Sequence, residues 1–181
     1  MYKRQGEKGN ADWEAAADQA GFLAAWGMFM AVDGSAVAPT VLVPQADGST
    51  QMVDFRGYGD SESAHKAAID RLEANPQKTA YQAMLFDGYA NLASGRTDAL
   101  TIDLRCYGGG LFSGRKALTL KIACPYRNAR DARGFAIHSP KLLECSAPKA
   151  QQPALLRRFY QGIYRFKSDT FDWNRYLDES I

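Results

Sequence analysis

The chain has 181 residues, 46% of them hydrophobic, which supplies one domain with a full core and leaves too little for two, since domains cluster at ~100–150 residues. Its longest apolar run, Phe22 to Val32, falls short of the ~20 residues that span a bilayer, so no membrane partner is expected. The formal charge of +2 is too small for the electrostatic footprint of a general nucleic-acid binder, and no nucleic-acid partner is expected either.

Met1-Tyr2-Lys3-Arg4-Gln5 reads as the in-frame translation of a sequencing-library transposon adaptor rather than as native sequence. The single domain is therefore expected over residues 6–181, and without Lys3 and Arg4 the formal charge falls from +2 to zero. From Ala11 to about Ala25, Trp13, Ala16, Ala17, Ala20, Leu23 and Ala24 recur on one stripe, with Asp12 and Glu14 near the start, where carboxylates favour the helix dipole. A helix is expected there, followed by strands at Trp26–Val32, Pro39–Val43 and Thr50–Phe55. Asp33-Gly34 and Asp47-Gly48 separate them, and Asp-Gly between extended runs signals a turn because both residues tolerate positive φ.

Asp60-Ser61-Glu62-Ser63 offers cap residues, and Ala64, Ala67, Ala68 and Leu72 give a thin apolar stripe that Asn75-Pro76 ends. A second helix is expected between them. Strands follow at Thr79–Phe86 and Tyr89–Ala93, with a turn at Asp87-Gly88. The clearest signal is the pair Leu100, Ile102, Leu104, Cys106 and Leu118, Leu120, Ile122, Cys124, in which every second residue is apolar and Thr101, Asp103, Arg105, Thr119 and Lys121 fill the gaps. These are amphipathic antiparallel strands. A last strand over Gly134–Ile137 breaks or runs along an edge at Pro140. Beyond a Pro-bracketed linker at Ala147–Pro153, Leu155, Leu156, Phe159, Tyr160, Ile163 and Tyr164 form a helical stripe. A further helix is expected from Ser168 or Asp169. The fold class that follows is α+β: one domain, a largely antiparallel sheet of about six to eight strands, and helices packed on one face.

Three cysteines without a Cys-x-x-Cys pair support neither a zinc site nor a disulfide framework. Cys106 and Cys124 fall at opposite ends of the expected hairpin, beyond the ~7 Å that a disulfide allows between Cα atoms. All three read as small apolar residues of a reduced, cytoplasmic protein, and the adaptor-like first residues add the expectation of a bacterial source. No metal and no cofactor is expected.

No catalytic residues are expected. Of the two histidines, His65 reads as part of a solvated helix face. His138 falls on the polar sheet face near Ala123 and Thr101, opposite to Cys124, so strand parity excludes a Cys/His dyad. Gly108-Gly109-Gly110 with Ser113-Gly114-Arg115 joins two strands, whereas a P-loop needs a helix after it and a Lys-Ser/Thr pair. The feature that points to a ligand is basic. In an up-and-down meander the turn at Arg96 and the loop carrying Arg127, Arg130 and Arg133 fall at one end of the sheet, with Asp98 and Asp131 partly neutralising them. Guanidinium suits bidentate recognition of carboxylate or phosphate.

Two functions follow from different classes. The first is a non-catalytic accessory protein, immunity-like, that docks a protein partner through its aromatic and arginine side chains. The second is a protein or low-histidine enzyme that takes an anionic small ligand at Arg96, Arg127, Arg130, Arg133 and His138, with Asp98, Asp131 or Tyr126 as polar groups. A phosphate-ester hydrolase would be its sharpest form. A deep pocket lined by Arg96 and Arg127 with a nearby carboxylate favours the second, and a flat aromatic surface favours the first.

Overall fold

The computed structural model describes residues 6–93, 95–108 and 117–179. The expectations for residues 1–5 and for most of the glycine loop, including Gly109, Gly110, Ser113, Gly114 and Arg115, lie outside the described residues. Seven strands form one antiparallel sheet: β1 (Thr40–Pro44), β2 (Thr50–Asp54), β3 (Tyr81–Leu92), β4 (Gly95–Cys106), β5 (Leu118–Arg127), β6 (Ala136–Ile137) and β7 (Lys141–Cys145). Their order is β2-β1-β3-β4-β5-β6, and β7 also pairs with β5. Among the described residues three α-helices accompany them, α1 (Gly6–Ala31), α2 (Ser61–Ala74) and α3 (Gln152–Arg165), so the fold is α+β.

The alternating strands pair in the register that their pattern demands. Leu104 faces Leu120, Ile102 faces Ile122 and Leu100 faces Cys124, and all six are buried against α1 and α3. Burying one such side chain is worth ~1.5–3 kcal/mol. Cys106 lies opposite Leu118 at the far end of the hairpin from Cys124, and all three cysteines are free thiols. Burial pushes the Cys106 thiol up to about 12 and raises that of Cys124 as well, so neither is a ready nucleophile.

Helix α1 runs to Ala31, so the expected strand at Trp26–Val32 does not form. From Ala16 to Ala31 no residue is exposed, because α1 lies between the sheet and α3. A helix buried on two sides loses its polar stripe, and its apolar run then resembles a buried strand. The two helices meet at backbone level. A Cβ on Gly21 would sit 1.8 Å from the Phe159 carbonyl oxygen, and one on Gly162 would sit 1.8 Å from that of Asp18. Arg158 and Arg165 of α3 reach back to Glu14 and Asp18 of α1 at 2.8 and 2.7 Å.

Packing on one face holds for α1 and α3. Helix α2 is an addition on the other face, where Ala64, Ala68 and Leu72 cover Val41, Val43 and Met84. Its ends are those the sequence predicts. The Asp60 carboxylate accepts from the Ser63 N–H at 2.7 Å, and Asn75 closes the helix in the left-handed region at φ 41°. Asp87-Gly88 is not a turn. Both residues lie inside β3, opposite Leu100 and Ala99, and the chain reverses instead before Gly95, whose φ is +118°. The helix expected from Ser168 or Asp169 is replaced by one 3-10 turn, Trp173–Tyr176, capped by Asp172. No helix in the described residues is long and apolar enough to cross a membrane.

Candidate functional site

The meander β3-β4-β5 brings the start of β4 and the end of β5 together, with Asp98 directly opposite Tyr126. The loop after β5 is shaped by its own short polar residues. Asn128 Oδ1 accepts from the Arg130 N–H at 3.0 Å, Asp131 Oδ1 accepts from the Arg133 N–H at 2.9 Å, and Gly134 turns the chain at φ +77°. Asx turns of this kind fix a loop without a core of its own. Between this loop, β4 and β6 lies an open cleft of about 390 Å³. Arg96, Arg127, Arg133 and His138 line it, with Asp98 and Asp131 among the neighbours. Arg130 does not. Its Cγ lies beside Gly34.

The four side chains are held differently. Arg96 stacks on the exposed ring of Tyr89, 3.9 Å from its centroid, and has no ion pair among the described residues. Arg127 is anchored: Nε donates to the Gly134 carbonyl at 2.9 Å and Nη1 to Asp178 Oδ2 at 2.8 Å. Arg133 grips Asp131 with two hydrogen bonds of 3.0 Å and holds that carboxyl well below the usual carboxylate range. A guanidinium carries five N–H donors, so Arg127 and Arg133 each keep donors free for a ligand.

His138 is only 3% exposed. Its backbone N–H donates to the Pro125 carbonyl at 2.9 Å, and its Nδ1 lies 2.7 Å from the backbone oxygen of Asp178. A carbonyl can only accept, so Nδ1 carries a proton. Nε2 has no partner among the described residues. Cys124 belongs to the core beneath the helices, so no Cys/His dyad exists here. Asp98 lines the same cleft, and its carboxylate has no hydrogen bond or ion pair among the described residues.

A second, wider depression of about 670 Å³ runs along β3 where Phe86, Asp87 and Gly88 extend past the start of β1. Asp87 accepts a hydrogen bond of 2.8 Å from the Tyr126 hydroxyl. Burial raises its pKa and the nearby Asp98 adds to this, against the lowering effect of the Tyr126 bond. His65 is here and is not solvated as expected: its ring lies on that of Phe86, with centroids 4.3 Å apart. Among the described residues no group of three His, Cys, Asp or Glu could hold a metal.

Sequence reasoning missed Asp178, whose carboxylate and carbonyl fix Arg127 and His138. No local pattern marks it, because the bridge of Leu177 to Ile137 and the bond of its own N–H to the Ile137 carbonyl bring it there from a distant part of the chain. It also missed Asp87, for which a signal exists: an acid interrupting an otherwise apolar strand. The chain's own geometry is the whole ground for a functional reading, since comparison with protein-family models, curated proteins and solved structures finds no match to it.

Proposed function

We propose that this protein is a non-catalytic, cytoplasmic binding protein that recognises an anionic group, phosphate or carboxylate, in the cleft of Arg96, Arg127, Arg133 and His138. The observation that carries the reading is that these four residues, from β4, β5 and the segment after it, line one open cleft. Guanidinium groups bind and orient anions but stay protonated, and so do not move protons in catalysis. Three free thiols fit a reducing compartment.

A partner protein offering an acidic group is the second reading. It is supported by Tyr89, 63% exposed at the Arg96 stack, since Tyr and Arg are the usual anchors of interfaces.

Thermal unfolding with inorganic phosphate, sulfate, citrate and acetate tests the proposal. An anion present at a hundred times its Kd stabilises by ~2.7 kcal/mol, which raises Tm by roughly 5–10 °C in a domain of this size. The double variant Arg96→Ala, Arg133→Ala should lose that rise. An unchanged Tm with every anion, or an equal rise in the double variant, would overturn the reading.

A further inference from the structure

We infer that the ligand of the arginine cleft is a zwitterion, a small molecule whose phosphate or carboxylate is taken by Arg96 and whose ammonium is taken by Asp98. This rests on the anion-binding reading of the same cleft and adds the second charge of its ligand. Strand register puts the two residues together. Tyr89 lies opposite Asp98 and Asp98 opposite Tyr126, so the three share the sheet face that α1 and α3 cover further along. Arg96 and Asp87, each two residues along its strand from one of these, are on that face as well. Opposite charges two residues apart on a strand are separated by only ~6.5 Å at Cα. Here they do not pair. Arg96 lies over the Tyr89 ring, and the Asp98 carboxylate has no hydrogen bond or ion pair among the described residues.

The surroundings of the two residues differ in sign. Arg96 lines the cleft together with Arg127 and Arg133. Asp98 also lines the wider depression along β3, where Glu62 and Asp87 are the other carboxylates and no described lining residue is Lys or Arg. Asp98, Tyr126 and Asn128 line both hollows, so the basic and the acidic side adjoin. Burial raises the Asp87 pKa and the Asp98 charge adds to this, as happens where neighbouring carboxylates have no cation between them. A plain anion seated on Arg96 is repelled by Asp98 at the same wall. An ammonium on the same ligand turns that repulsion into a charge-assisted bond. The strand spacing calls for about two or three atoms between the two charges, as in an aminoalkyl phosphate or a small amino acid.

The test is calorimetric titration of the full chain at about pH 7.5, where an alkylammonium is protonated. Two matched pairs are compared, phosphoethanolamine against ethyl phosphate and β-alanine against propionate. Within a pair the anionic group is the same and one member adds the ammonium. That positive charge weakens attraction to the arginines, so a preference for the zwitterion has to come from the carboxylates. In at least one pair the zwitterion should bind ~10-fold more tightly or better, the worth of one hydrogen bond between charged groups. Asp98→Asn should bring that ratio below ~3-fold by weakening the zwitterion alone, and the affinity it keeps for the plain anion reports an intact fold and arginine side. Arg96→Ala should weaken both members. Equal affinities within both pairs, a preference that survives Asp98→Asn, or zwitterion binding that Arg96→Ala leaves unchanged would overturn the inference. Binding of none of the four compounds would overturn the anion reading itself.

Discussion

Replacing Gly162 by alanine tests the packing that supports the sheet. The new Cβ would lie 1.8 Å from the Asp18 oxygen, 2.7 Å from its carbonyl carbon and 2.8 Å from the Phe22 nitrogen, all backbone of α1. Carbon and oxygen come no closer than ~3.3 Å without repulsion, so the helices must part by roughly 1.5 Å at their crossing. That loosens Leu155, Phe159 and Ile163 from Ala17, Ala20 and Leu23 along the seam. Overpacking alone costs ~1–3 kcal/mol, and with the lost contacts we expect ~3 kcal/mol or more, a fall in Tm of roughly 6–12 °C. Urea unfolding followed by far-UV circular dichroism measures it. Gly21→Ala should act alike, and the pair should be less than additive, because the first substitution has already opened the seam. Gly57→Ala is the control, with nothing within 4 Å of its Cβ and an expected change within ~0.5 kcal/mol. A Gly162→Ala midpoint equal to that of the control would refute the close crossing.

Leu120→Asp places a charge on a side chain that is 1% exposed beneath the helices and should abolish cooperative unfolding at neutral pH; a soluble protein with native circular dichroism would refute the assigned facing. Asp60→Ala removes the bond to the Ser63 N–H and should cost ~1 kcal/mol in urea titrations, and no loss would show that the cap is idle. Asp87 carries the pH dependence. Burial, then Asp98, raises its folded pKa above the unfolded value, so its stabilisation is full below about pH 4 and is lost as pH rises through the raised value. Asp87→Asn should therefore gain stability relative to the unaltered protein between about pH 4 and 7, and parallel stability curves would contradict this.

The facing of strands that have one side in the core and one outside it was readable, because period-2 alternation is a direct record of two different environments. The β4–β5 hairpin, the turn at Asp47-Gly48 and both ends of α2 follow from such local chemistry. Legibility failed where tertiary burial removed the contrast. Between Ala16 and Ala31 both flanks of α1 are covered, so the helix could not be told from a buried strand by pattern. Asp87-Gly88 looked like a turn because the acid's partner, Tyr126, stands 39 residues away. In the cleft, the arginines and His138 were visible as residue types, and the meander put Arg96 and the loop after β5 at one end of the sheet. What anchors them, Asp178, comes from a segment whose position depends on the folded chain, and Arg130 falls outside the lining of the cleft.

The most direct measurement is a two-dimensional NMR titration of the imidazole nitrogens with inorganic phosphate, since the chain has only two histidines. In the free protein His138 should show the tautomer protonated at Nδ1. On titration its Nε2 resonance should move saturably while those of His65, stacked on Phe86, stay fixed. Movement at His65 alone, or at neither ring, would contradict the assignment of anion binding to the arginine cleft.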